Sequence, residues 1–110
     1  MSDNLSEKKC VPCESGTPPL AYEQIASYKE RVSSEWEVLE NKKIRRQFRF
    51  GDFREAMHFV QRVADIAEQE NHHPNIEIHW NKVILTLWTH AIGGLSENDF
   101  ILASKIDQLV

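Results

Sequence analysis

Two adjacent histidines, His72 and His73, stand immediately before Pro74, and a third, His90, follows beyond a run rich in apolar residues. An imidazole with an ordinary pKa of about 6.5 both gives and takes protons around neutrality, so such a group suits general acid/base chemistry. Three imidazoles are also a zinc ligand set. Histidines near a helix C-terminus have a simpler use as well, since a cationic ring favours the negative end of the helix dipole. Residue type and spacing leave all three uses open. Pro74 narrows the geometry: it disfavours helical backbone at His73 and lacks an N–H, so the preceding helix stops near Asn71 or His72 and both rings can face one cleft. Glu68, one helical turn before His72, is placed either to orient an imidazole or to sit in water as a helix-surface carboxylate. His58, on the polar side of that helix, and His79, alternating away from Ile78 and Trp80, read as bystanders.

The elements that must carry these groups follow from periodicity. Leu20 to about Ser33 has helical spacing at Leu20, Ala21, Ile25, Tyr28 and Val32. Trp36–Glu40 and Ile44–Phe50 read as two strands joined by a short connection. The second alternates apolar and polar residues apart from Arg46, which falls on the apolar parity. A long helix begins after Asp52, a plausible N-cap with Glu55 three residues on, and its stripe is Phe53, Ala56, Met57, Val60, Val63, Ala64 and Ala67. Ile76–Trp80 and Val83–His90 form a second strand pair. Ser96, after Gly93 and Gly94, opens a last helix with Phe100, Ala103 and Ile106 on its buried side. The order helix-β-β-helix-β-β-helix predicts a two-layer α+β sandwich, a four-stranded antiparallel sheet with three helices on one face. Its strand-strand-helix unit occurs twice, which suggests pseudo-two-fold symmetry.

At 110 residues with 41% apolar content the chain supports one core. Residues 1–19 read as a tail and 20–110 as the domain. Burial in so small a domain is incomplete, which favours association with further copies. A net charge of −4 with both signs interleaved argues against a nucleic-acid footprint. The one basic cluster, Asn41 to Arg49, reads as a solvated hairpin edge. No apolar run is long enough for a membrane span, and the N-terminus does not resemble a secretory signal, so a cytoplasmic protein is expected. The only cysteines, Cys10 and Cys13, form a C-x-x-C in the tail. That spacing fits incidental thiols, half a metal site or a redox pair.

Glu68, three residues, His72-His73-Pro74, five residues, Trp80, nine residues, His90, eight residues, Asp99: this pattern resembles the signature of the pterin-4a-carbinolamine dehydratase family. The likeness continues through "NKVILTLWTHAIGGLSENDFILASKID" and back through "QFRFGDFREAMHFVQRVADIAEQ" to Trp36, covering most of the chain from about Pro18. The entry segment "CVPCESGTPPL" is similar to that of bacterial members, which implies a bacterial source.

The resemblance implies a hydro-lyase that dehydrates 4a-hydroxytetrahydropterin to the quinonoid dihydropterin, with no metal and no other cofactor. The product would be returned to the tetrahydro form used by aromatic amino-acid hydroxylases. It implies the same α+β fold in homo-oligomers, dimers or tetramers. By the family's motif His72, His73 and His90 are the catalytic set, His72 and His90 as the acid-base groups and His73 to orient the pterin; Glu68, Asp99 and Pro74 are expected around the substrate, and of Trp36 and Trp88, both able to border a planar ring, Trp36 is favoured as pocket wall. Asp99 also has a second reading, as the capping partner of Ser96 at the helix start. Two departures stand out: Asn71 lies where some members carry Asp, and Trp88 occupies a position that is small and polar in some animal members. The alternative to an enzyme is a coactivator-like interaction module of the same fold, using its helical surface.

Overall fold

The computed structural model describes residues 5–12 and 16–110. Helices α1 (Tyr22–Lys29), α2 (Phe53–Glu70) and α3 (Glu97–Asp107) and strands β1 (Glu37–Leu39), β2 (Lys43–Arg49), β3 (Asn75–His79) and β4 (Lys82–Leu87) follow one another as α1-β1-β2-α2-β3-β4-α3. The expected α+β order is therefore the observed one. All four strands join one antiparallel sheet in the order β1-β2-β4-β3. Each hairpin places its second strand at the centre, where β2 pairs with β4 from Ile44 opposite Leu87 to Arg49 opposite Lys82. The two strand-strand-helix units thus sit symmetrically about the middle of the sheet.

Side-chain alternation along the central strands makes the sheet one-sided. Ile44 and Phe48 from β2 and Val83, Leu85 and Leu87 from β4 are buried with Ala56, Phe59 and Val63 of α2 and Phe100, Leu102 and Ile106 of α3. Ile84 and Thr86, of opposite parity, stay half-buried. Arg46, the exception to the alternation, does point to the packed side. Its Nη1 meets Asp107 Oδ1 at 2.6 Å and its guanidinium lies over the Phe48 ring. The basic cluster therefore spends one of its charges inside the fold.

Several boundaries differ from the sequence reading. Helix α1 stops at Lys29 instead of about Ser33, because the chain tightens into i to i−3 bonds from Arg31 N to Tyr28 O and from Val32 N to Lys29 O. Tyr28 stacks on Phe100 at 5.3 Å and ties α1 to α3. The last strand ends at Leu87, short of His90. Within the tail, a 3-10 turn at Leu5–Glu7 buries Leu5 in the core cluster. Cys10 is half-buried with its thiol donating to Asn98 O at 3.6 Å, and Cys13 lies outside the described residues. Among the described residues no helix is long and apolar enough to cross a membrane.

Candidate active site

The site begins with how α2 starts and stops. Asp52 Oδ1 accepts the Glu55 N–H at 2.9 Å, as the sequence suggested. At the other end Asn71 adopts the left-handed conformation, φ 53° and ψ 41°, and the His72 N–H reaches back to Ala67 O at 3.1 Å. That is a Schellman-type ending, and asparagine tolerates the left-handed conformation better than most residues. The chain therefore leaves the helix before His72. The helical offset from Glu68 to His72 is lost, and Glu68 Oε2 instead meets His73 Nε2 at 2.7 Å. Both partners are exposed, so this pair orients the ring more than it stabilises the fold.

The partner of His72 comes from α3. His72 Nε2 lies 2.6 Å from Asp99 Oδ1, while Asp99 Oδ2 accepts the Thr89 hydroxyl and the Ser96 backbone N–H, each at 2.9 Å. Asp99 is 0% exposed. The capping reading holds, since one oxygen accepts the Ser96 N–H at the start of α3, and the other oxygen holds the His72 imidazole. A carboxylate only accepts, so Nε2 of His72 donates the shared proton, and in the neutral tautomer that this bond selects Nδ1 keeps its lone pair. Thr89 Oγ1 also lies 2.7 Å from Ser96 Oγ. The bond to Asp99 thus sits inside a closed polar network.

His90 reaches the site by a different route. After β4, Thr89 N–H bonds to Gly94 O at 2.8 Å and encloses a short 3-10 turn, His90–Ile92, finished by Gly93 at φ 65°. His90 therefore projects from a turn and not from a strand end. Its ring is exposed and stacks on Trp88 at 4.3 Å with 18° between planes. The Lys43 ammonium lies 4.2 Å from the same indole.

These elements enclose a cleft of about 360 Å³. Asn71, His72 and His73 line it from the end of α2, and Trp88, Thr89, His90 and Ala91 from the loop after β4. Its remaining wall is Cys10, Val11 and Pro12, with Glu70 and Asn98 beside them. The three histidines expected to act together do share this cleft. Asp99 stands behind His72, and Glu68 behind His73. Pro74 follows the pair without lining the cleft. Trp36, expected to border the pocket, is 1% exposed in the core, where its indole N–H donates to Asp107 Oδ1 at 2.8 Å and its ring meets Phe48 edge-on. The aromatic residue in the cleft is Trp88. Thr89 and the tail were not foreseen at the site; a hydroxyl seven residues before Ser96 carries no local signal of its partner. Among the described residues no three His, Cys, Asp or Glu side chains converge as a metal-binding group.

A two-layer α+β sandwich carrying a histidine cluster between a helix end and the turn that follows the last strand defines the class. The family model described as pterin 4 alpha carbinolamine dehydratase matches residues 18–109, and the chain belongs to that family of hydro-lyases. A protein of Rubrobacter xylanophilus provisionally named pterin-4-alpha-carbinolamine dehydratase is 47% identical over 105 residues, covering 96% of this chain and 97% of its own. One from Alkaliphilus metalliredigens, named in the same way, is 44% identical over 106 residues with 96% of each chain covered. The solved structure of a transcriptional coactivator/pterin dehydratase from Brucella melitensis superposes with a TM-score of 0.77 at 29% identity, covering 83% of this chain and 97% of that one. A pterin dehydratase-like protein identified as a RuBisCO assembly factor shares the fold at 23% identity and a TM-score of 0.59, over 68% of this chain and 88% of its own.

Proposed function

We propose that this protein dehydrates a 4a-hydroxytetrahydropterin to the quinonoid dihydropterin by histidine acid/base catalysis. The observation that carries the reading is His72, fixed by a fully buried carboxylate, in one cleft with His73 and His90. In the reaction N5 loses its proton, the N5 lone pair forms the C4a=N5 bond, and the C4a–O bond breaks as the hydroxyl gains a proton and departs as water. One proton leaves and one arrives, and no electrons are gained or lost, so the balance calls for an acid and a base only. His72 Nδ1, with its lone pair free, serves as the base at N5. His90, at the mouth of the cleft, protonates the departing hydroxyl. His73, oriented by Glu68, positions the pterin, and the Trp88 indole offers a flat apolar surface to a planar ring. General acid/base groups of this kind contribute roughly 10²- to 10⁴-fold each.

The product suits reduction back to the tetrahydropterin used by aromatic amino-acid hydroxylases, and a role in tetrahydropterin recycling in the cytoplasm belongs to this proposal. Exposed Ile78 and Trp80 at edge strand β3, and Phe53 and Met57 on α2, support assembly into a homo-oligomer, dimer or tetramer. The α2 patch also favours the second reading, a helix-mediated interaction module. The decisive assay follows dehydration of 4a-hydroxytetrahydropterin by ultraviolet absorbance above the spontaneous rate. Acceleration by wild type that collapses in His72→Ala and His90→Ala supports the enzyme. No acceleration from folded protein would overturn it and leave the interaction module in first place.

A further inference from the structure

The wall made by the N-terminal tail lies outside the family model, which begins at residue 18. It is nonetheless built into the fold. Leu5 is buried in the core, Lys105 Nζ donates to Ser6 O at 2.7 Å, and Lys8 Nζ meets Glu97 Oε2 at 2.7 Å. Closer to the cleft, the Cys10 N–H donates to Glu70 Oε1 at 2.8 Å. The Val11 N–H donates to Asn98 Oδ1 at 3.0 Å, and Asn98 Nδ2 donates back to Val11 O. Asn98 is 5% exposed, as is the side chain of Glu70. A nearly buried carboxylate and a buried amide thus direct hydrogen bonds at the backbone of this strap, and without it those groups would lose partners. Both anchors adjoin the site: Glu70 lies two residues before His72 and Asn98 one before Asp99.

The clamp fixes the backbone of Val11, yet leaves the residue 62% exposed at the cleft. A bolted main chain with an uncovered apolar side chain is a surface organised for a ligand, since ordering it costs nothing further on binding. Resting on the pterin dehydratase reading above, we infer that the strap Leu5–Pro12 is a substrate-binding wall of the cleft, with Val11 covering the apolar body of the pterin and Asn98 as its positioning residue. Such a contact is made equally in ground and transition states, so it acts on KM and not on kcat.

The test uses the full chain, with Val11→Ser and Asn98→Ala compared with wild type for kcat, KM and the Kd of 7,8-dihydrobiopterin by titration calorimetry. Val11→Ser is expected to raise KM and Kd about three- to tenfold, the size of losing one or two buried methyl-sized contacts, with kcat within about twofold. Asn98→Ala is expected to raise both further by freeing the strap. The dihydropterin should also slow amide exchange across residues 5–12. An active wild type whose KM and Kd are unchanged in Val11→Ser overturns the inference, and that surface variant decides it even if Asn98→Ala fails to fold. A folded wild type that neither accelerates dehydration nor binds the dihydropterin sinks the functional reading first and this inference with it.

Discussion

Asp99→Asn changes one atom at the centre of the site. The native carboxylate receives three donors: the His72 imidazole at 2.6 Å, the Thr89 hydroxyl and the Ser96 N–H. An asparagine keeps one acceptor oxygen and gains an NH₂. If the NH₂ faced Ser96, two N–H donors would collide in a fully buried place, and the backbone donor cannot change. If it faces His72, the ring can answer by moving its proton from Nε2 to Nδ1. The second arrangement wins. Helix α3 then keeps its cap but loses a charge-assisted bond and a favourable charge at its N-terminus, together about 1 to 3 kcal/mol. On the proposed acid/base reading the chemical cost is larger, because His72 Nδ1, the base of that proposal, would now carry a proton. A wrong imidazole tautomer of this kind costs on the order of 10²- to 10⁴-fold in rate. The variant should therefore stay folded, unfold at a slightly lower urea midpoint, lose kcat by that factor, and show His72 as the Nδ1–H tautomer in nitrogen-15 spectra. Wild-type kcat in Asp99→Asn, or a His72 that keeps its proton on Nε2, would refute the reasoning.

Two stability predictions rest on other parts of the fold. Asp107 accepts from the Trp36 indole, the Ser33 N–H and Arg46, all between 2.6 and 2.8 Å. Asp107→Ala strands a half-buried guanidinium and should cost about 3 kcal/mol in urea unfolding, whereas Arg46→Met, which removes the charge and leaves Asp107 two donors, should cost less. Burial, and then the nearby Glu97 carboxylate, raise the Tyr28 phenol above its ordinary 10.0. The folded state thus holds this proton more tightly than the unfolded one, so the contribution is complete below pH 10 and is lost as pH climbs beyond it. A titration at 295 nm should find one phenol ionising late, and Tyr28→Phe should flatten the alkaline loss of stability.

Local rules carried much of the architecture into view. Asp52 and Pro74 bracket α2 through backbone geometry that operates within a few residues, and period-two alternation exposes the buried face of β2 and β4. The family pattern brought His72, His73 and His90 forward as a set, and the fold does assemble them in one cleft. By itself, then, the sequence determined the order of elements, the antiparallel sheet and the chemistry on offer, because those depend on propensity, capping and spacing. Only the tertiary structure decided the partners. A left-handed Asn71 turned Glu68 toward His73 and gave His72 to Asp99, far along the chain. Packing against α3 took Trp36 out of the site and into the core, and Glu70 and Asn98 drew a tail with no periodicity of its own over the cleft. Apart from the Glu68–His73 pair, these contacts join residues that no local rule relates, and hydrogen-bond satisfaction in a buried interior is settled only when the whole chain has closed around it.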